Sequence, residues 1–308
     1  MNSSIANFEA ISLQFKALER PQKPKMLVVD DEPDNLDLLY RTFRRDFTVL
    51  RAESGIAALE LLATEGEVAV IISDQRMPEM KGTEFLSRTV PQFPDTMRII
   101  LTGFTDVEDL VEAINSGQVY KYITKPWDPQ ELKAVVQRAV DTYDVQKQRM
   151  EELRQAQSQT ALLEAIVQST YESSSLETCL EKISYAYGTT FSADCCILQL
   201  VEATGLGVEG VFCPLGLPKL DLAQDALTEA VLTTRTMQAA ISKPAEVGEN
   251  QLPAHLLVPV LLRDEVLALL SLQWKQPYPL NELELEMIHR SALQVGMAIT
   301  YNQYRSSH

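Results

Sequence analysis

Five polar residues stand out because they follow directly on runs of apolar ones. The run 26–29 ends in Asp30 and Asp31, 68–72 in Ser73 and Asp74, 98–101 in Thr102 and Gly103, and 120–124 in Lys125 and Pro126. Apolar runs without alternation suit strands buried on both faces, as in a parallel sheet. The carboxyl ends of an open parallel sheet share one crevice, where ligands bind. Asp30, Asp31, Asp74, Thr102 and Lys125 are therefore predicted to converge, although they lie far apart in the chain. Three carboxylates in one crevice repel one another unless a cation joins them. Oxygen ligands with open positions favour Mg²⁺, which keeps waters and phosphate oxygens. A lysine and a hydroxyl on the same rim suit an oxyanion, and phosphate is the natural candidate.

Helical patterns separate these runs. Thr105 and Glu108 form a capping box that opens one helix, and Gly117 closes it. Asp128-Pro129-x-Glu131 opens another, with proline at the first helical position. Alternating strand and helix predicts a doubly wound α/β domain. Ahead of it, Ile5, Phe8, Ile11, Phe15 and Leu18 follow helical spacing before Pro21. This short amphipathic helix docks on its own domain or on a partner, and the first is preferred.

The helix that starts at Pro129 meets no Gly or Pro from Glu131 to Tyr171. Leu132, Val136, Ala139, Tyr143, Met150 and Leu153 keep a heptad-like spacing; Ala156, Thr160, Leu163 and Val167 then shift its phase. So narrow a stripe over 130–172 favours a dimeric signalling helix, a candidate coiled coil, over a single helix packed on its own domains. Beyond it the pattern predicts a helix over 175–187, strands over 193–201 and 207–213, and a middle helix capped by Asp221 and Gln224. Strands over 255–262 and 265–274 are separated only by Arg263-Asp264, a hairpin. Asn281 and Glu284 cap a last helix with Leu285, Ile288, Ala292, Val295 and Ile299 as its stripe. Antiparallel strands with helices at both ends describe an α+β domain.

Residues 25–143 resemble the receiver domain of bacterial two-component response regulators, the CheY-like family. VVDDEPDNL, IISDQRMPEMKGTEFL, RIILTGFTD and YKYITKPW carry the resemblance in that order. It implies a flavodoxin-like doubly wound parallel sheet. It also implies roles position by position. Asp74 matches the phosphoacceptor, which takes a phosphoryl group from a partner's phosphohistidine. Asp31, Asp74 and the backbone carbonyl of Arg76 match the Mg²⁺ ligands, with Asp30 acting largely through water. Lys125 matches the residue that pairs with phosphoryl oxygens. Thr102 and Tyr122 match the switch pair, and Gly103 the small residue beside the phosphate. Pro78 and Gly82 match the loop after the acceptor, and Lys125-Pro126 a peptide that is cis in the family. Arg76 and Phe104 occupy variable positions that tune water's access to the acyl phosphate. Gln75 departs from an apolar preference, and Trp127 stands where Phe is common. A degenerate receiver lacks the acidic pair, the acceptor or the lysine; all are present here.

Residues 155–305 resemble a GAF domain in the order of their elements, above all in LLVPVLLRDEVLALLSLQW. The architecture implied for the chain is an extension over 1–24, a receiver over 25–143, a linking helix over 130–172, and an α+β GAF-like domain over 173–308. GAF domains bind small molecules over their sheet or simply dimerise, so the ligand is left open, with none as one reading. A covalent bilin needs a suitably placed Cys, and His255 and His289 have no Cys beside them. Cys179, Cys195, Cys196 and Cys213 include no CxxC and suit reduced, packed thiols.

The balance of 27 Lys and Arg against 43 Asp and Glu gives a net charge of -16 and argues against direct nucleic-acid binding. No apolar run reaches the length of a membrane span, and the first residues lack a secretory pattern, so a cytoplasmic protein is expected. The favoured reading is not an enzyme but a phosphorylation-controlled adaptor. Its partners are a histidine kinase or phosphotransfer protein, a second copy of the chain, and a downstream protein. The alternative is a small-molecule sensor whose GAF ligand is the primary input. A DNA-binding regulator is the poorest reading, since no reading helix follows.

Overall fold

The computed structural model describes residues 2–16, 23–103, 119–214, 217, 219–242, 252–276, 278 and 280–306. The helix expected from Thr105 to Gly117, with Phe104 before it, lies outside the described residues, as do Leu18 and Pro21. Contacts divide the chain into two units: residues 21–152, and residues 1–20 together with 153–308.

The first unit alternates strand and helix: β1 (Lys25–Val29), α2 (Pro33–Phe43), β2 (Thr48–Ala52), α3 (Gly55–Glu65), β3 (Val70–Asp74), α4 (Gly82–Thr89), β4 (Met97–Thr102) and β5 (Lys121–Thr124). Helix α1 (Asn2–Lys16) precedes them, and α5 (Pro129–Glu172) follows. The strands form one parallel sheet in the order β2-β1-β3-β4-β5. The central strands β3 and β4 are buried along their whole length. Two apolar layers cover the faces. Leu36, Leu39 and Phe43 of α2 pack on one side with Leu132, Val136 and Ala139 of α5; Ala58 and Leu62 of α3 pack on the other with Phe85 of α4. Each of the Leu, Val and Phe side chains contributes roughly 1.5–3 kcal/mol through burial.

Two strands depart from the sequence pattern. β2 carries no continuous apolar run, because it is an edge strand whose Thr48 and Arg51 face outward. β5 is the other edge, and of its four residues only Ile123 is buried, so the run 120–124 is not covered on both faces. Of the heptad-like positions on α5, Leu132, Val136 and Ala139 lie in the core of this unit, while Met150 and Leu153 are exposed.

The second unit contains the end of α5, then α6 (Leu176–Thr190), β6 (Cys195–Glu202), β7 (Gly205–Phe212), a 3₁₀ turn (Leu222–Gln224), α7 (Ala226–Thr234), β8 (Gln238–Ile241), β9 (Ala254–Leu262), β10 (Glu265–Trp274) and α8 (Glu282–Ser306). Its sheet is antiparallel in the order β7-β6-β10-β9-β8. Arg263 and Asp264 turn the hairpin with positive φ at both residues, the conformation that matches strand twist. Asn281 and Glu284 cap α8 reciprocally, each side chain accepting from the other's backbone N–H. Asp221 caps only the 3₁₀ turn, and the middle helix begins at Ala226. Cys213 lies just past β7 rather than on it.

One face of this sheet is covered by α6, α8 and the end of α5, through Leu180, Ile183, Leu162, Ile166, Ile288 and Val295. Helix α1 joins the same core. Phe8 lies 5.6 Å from the His289 ring and Phe15 lies 5.8 Å from Trp274, edge-on. Phe8, Ile11 and Phe15 are buried there. The N-terminal helix therefore docks on the unit built from the far end of the chain. Replacing Phe15, 1% exposed, with Ala should lower the unfolding free energy of this unit by about 3–5 kcal/mol, as for other buried Phe→Ala changes. Thermal or denaturant unfolding measures it; an unchanged midpoint would show that α1 contributes nothing to this core.

Candidate phosphoryl-acceptor site

Strand register brings the polar ends together. Val29 of β1 lies opposite Ser73 of β3, so Asp30 and Asp74 emerge side by side. Asp74 lies opposite Leu101 of β4, and Thr102 lies opposite Thr124 of β5. Lys125 thus leaves β5 at the same end of the sheet, its backbone N–H donating to the Thr102 carbonyl at 2.7 Å.

Lys125 joins the two buried acids. Its Nζ donates to Asp30 Oδ2 at 3.2 Å and pairs with Asp74 Oδ1. Asp30 is wholly buried and Asp74 nearly so. Asp30 is further held by the Glu32 N–H at 2.9 Å and by Asn35 Nδ2, 3.1 Å from each of its oxygens. Asp74 Oδ2 accepts from the Arg76 N–H at 2.6 Å. Asp31 follows directly but is exposed, and among the described residues no three Asp, Glu, His or Cys side chains gather around one point. Thr102 is buried and donates its hydroxyl to the Gly103 carbonyl at 3.2 Å; Tyr122 is 37% exposed. Arg76 is exposed, Gly103 half-buried, and the Lys125-Pro126 peptide is cis.

The loop after Asp74 is closed by Gln75 and Gly82. Gln75 is buried; its side-chain oxygen accepts from the Thr83 N–H at 3.1 Å, and its carbonyl accepts from the Gly82 N–H at 3.0 Å. Gly82 sits against Asp74 itself: a Cβ there would stand 2.1 Å from the Asp74 carbonyl oxygen. Asn35 had only its place on the first turn after Pro33 to signal its role.

Burial pushes the Asp74 carboxyl above its ordinary value, although Lys125 and the Arg76 N–H pull the other way. Burial alone would lower Lys125, but Asp74 and Asp30 outweigh it and hold its ammonium above the usual lysine range. In the metal-free chain the Asp74 carboxyl should therefore titrate above the unperturbed aspartate value of about 3.9. NMR titration of the metal-free chain checks this; a midpoint at or below that value would contradict it.

Asp30 and Asp74 present carboxylate oxygens that already converge on one cationic group. That chemistry fits Mg²⁺, which receiver domains in general use at the phosphorylation site.

The family model for the response regulator receiver domain matches residues 26–137, and that for the GAF domain matches residues 175–299. The hydrogenase transcriptional regulatory protein HoxA of Bradyrhizobium diazoefficiens is 42% identical over 124 residues, 40% of this chain and 25% of that protein. The chemotaxis protein CheY homolog of Campylobacter jejuni is 34% identical over 122 residues, 38% of this chain and 93% of that protein. A solved structure described as adenylate cyclase from Rhodopirellula baltica aligns with a TM-score of 0.42 at 34% identity, over 42% of this chain and 97% of that one. The chain spans about a quarter of the length of the HoxA regulators it matches. No helix among the described residues is long and apolar enough to cross a membrane. With its receiver matched along nearly the whole of a CheY homolog, the chain belongs to the two-component response regulators, carrying a receiver domain followed by a GAF domain.

Proposed function

We propose that Asp74 accepts a phosphoryl group from a phosphohistidine of a kinase or phosphotransfer protein, and that the phosphorylated receiver controls a protein contact. The observation that carries this reading is the joining of Asp74 and Asp30 through Lys125 at the carboxyl end of the sheet. In the transfer an Asp74 carboxylate oxygen attacks phosphorus. The bond from phosphorus to the histidine nitrogen breaks, that nitrogen keeps the electron pair and takes a proton, and an acyl phosphate remains on Asp74. Lys125 neutralises the phosphoryl oxygens as charge shifts onto them. Asp30, Asp31, Asp74 and the Arg76 carbonyl would hold Mg²⁺, which when bound supplies charge neutralisation between an anionic acceptor and an anionic donor.

Thr102 and Tyr122 carry the switch. The Thr102 hydroxyl, spent on Gly103 before transfer, turns to the phosphoryl group after it, and Tyr122 leaves its exposed position for the space vacated. The output is a change in dimer or partner contacts expressed through α5 and the GAF domain. A dimer is supported by the exposed apolar residues of α5, Val145, Met150 and Leu153. Size exclusion of the full chain with a phosphoryl mimic and Mg²⁺, and capture of bound protein from native lysate, test the output. A shift in either is expected; identical elution and identical capture with and without the mimic would defeat it.

A further inference from the structure

The cysteines of the second unit are free thiols, and two of them meet. Cys196 of β6 lies opposite Phe212 of β7 in an antiparallel pairing. One further step along that register sets Cys195 opposite Cys213, the residue that follows β7. Both side chains lie on the sheet face that carries Leu222, Val231 and Leu257. The Cys195 thiol makes a side-chain hydrogen bond with that of Cys213.

Opposed residues on antiparallel strands hold their Cα atoms about 4.5–5.5 Å apart. A disulfide joins Cα atoms about 4.4–6.8 Å apart whose side chains turn toward each other. Cys195 and Cys213 therefore meet the demands of a disulfide with no change of strand register. The other two cysteines do not. Cys196 packs on the opposite face, across from Phe212 and Leu272. Cys179, on α6, accepts from the Asn302 amide at 3.5 Å.

The paired thiols differ in access. Cys195 is fully buried and Cys213 half-buried. Burial, and then the bond to Cys213, holds the Cys195 thiol above its ordinary value, against the pull of Lys219. Cys213 is thus the thiol that a reagent reaches first, and Cys195 the one that resolves.

We propose that Cys195 and Cys213 form a reversible disulfide when the protein meets a low-molecular-weight disulfide. The Cys213 thiolate attacks one sulfur of the reagent, the reagent's S–S bond breaks, and the departing thiolate takes up the proton that Cys213 released. The Cys195 sulfur then attacks the capped Cys213 sulfur, and the second half of the reagent leaves as a thiol with the Cys195 proton. The two cysteines give up two electrons, and the small disulfide gains them as two thiols. Burial of Cys195 opposes the second step; its position directly opposite Cys213 offsets this, because the step is intramolecular between side chains already in place. The bond closes the open ends of the β6–β7 hairpin and staples the edge strand β7 to the sheet. The inference is independent of the assignment at Asp74.

2-Hydroxyethyl disulfide is the probe. The folded full chain is treated with it, alkylated with iodoacetamide in denaturant, and mapped by mass. Cys195 and Cys213 should be joined, Cys179 and Cys196 alkylated, and dithiothreitol should return both joined residues to the alkylated form. Cys195→Ser should stop at a mixed disulfide that retains one hydroxyethylthio group on Cys213, and Cys213→Ser should leave Cys195 unmodified. The wild-type map decides the matter if a variant fails to fold. Amide exchange along β7 should slow in the bridged protein. Free thiols at 195 and 213 after treatment, a hydroxyethylthio group that persists on wild-type Cys213, or a bridge between any other pair would overturn the proposal; unchanged exchange along β7 would overturn the stapling.

Discussion

Asp74→Asn should reduce labelling by a small phosphodonor such as acetyl phosphate, in Mg²⁺, to background. The amide oxygen is a far weaker nucleophile than a carboxylate and cannot leave a stable acyl phosphate. The variant should fold at least as well as wild type at neutral pH. Burial raises the Asp74 carboxyl despite its partners, so the fold favours the neutral form of this side chain over the charged one. Loss of label with an unchanged melting temperature therefore separates chemistry from unfolding. Undiminished label would place the acceptor elsewhere.

Lys125→Ala should affect both readouts. It leaves Asp30 and Asp74, two carboxylates nearly shut off from solvent, facing each other without a cation. Breaking a buried pair by removing one partner costs about 3–5 kcal/mol. The lower end is expected, because Lys125 is itself 31% exposed. The pH dependence has a definite sign. Lys125 is held above its ordinary value, so its contribution is fully present below that value and is lost as pH rises through the higher, folded one. The gap between wild type and variant should therefore close in strong alkali. Added Mg²⁺ should recover part of the lost stability at neutral pH, since it supplies another cation to the same acids. Labelling should fall by about a hundredfold or more, as when one preorganised donor to a developing anion is removed. A variant as stable and as readily labelled as wild type would show that the Lys125 contacts carry neither structure nor transfer.

The positions of Asp30, Asp74 and Thr102 were legible because each ends a buried strand, and that of Lys125 because it ends the run 120–124; a parallel sheet sends all its carboxyl ends one way. What escaped the sequence has a common cause: partners remote in the chain or surfaces only half covered. β2 is an edge strand, so Thr48 and Arg51 face water and no apolar run marks it. Gln75 and Asn35 look like ordinary polar residues until the fold brings Thr83 and Asp30 to them. The N-terminal helix was visible from its spacing, but its seat was not, because Phe15 meets Trp274 from the other end of the chain. Asp221 and Gln224 have the spacing of a helix cap, yet they close one 3₁₀ turn, and Asp225 opens the helix. His255 read as a strand histidine without a ligand-forming neighbour; its link to Ser271 and its approach to Asp225 arise only when β9, β10 and α7 are assembled.

Borohydride reduction of the phosphorylated full chain, followed by peptide sequencing by mass, addresses the acceptor most directly, since an aspartyl phosphate is reduced to homoserine where it stood. Homoserine at position 74, dependent on both phosphodonor and Mg²⁺, is the expected result. Homoserine at another aspartate, or none at all in protein that carries label, would contradict the account.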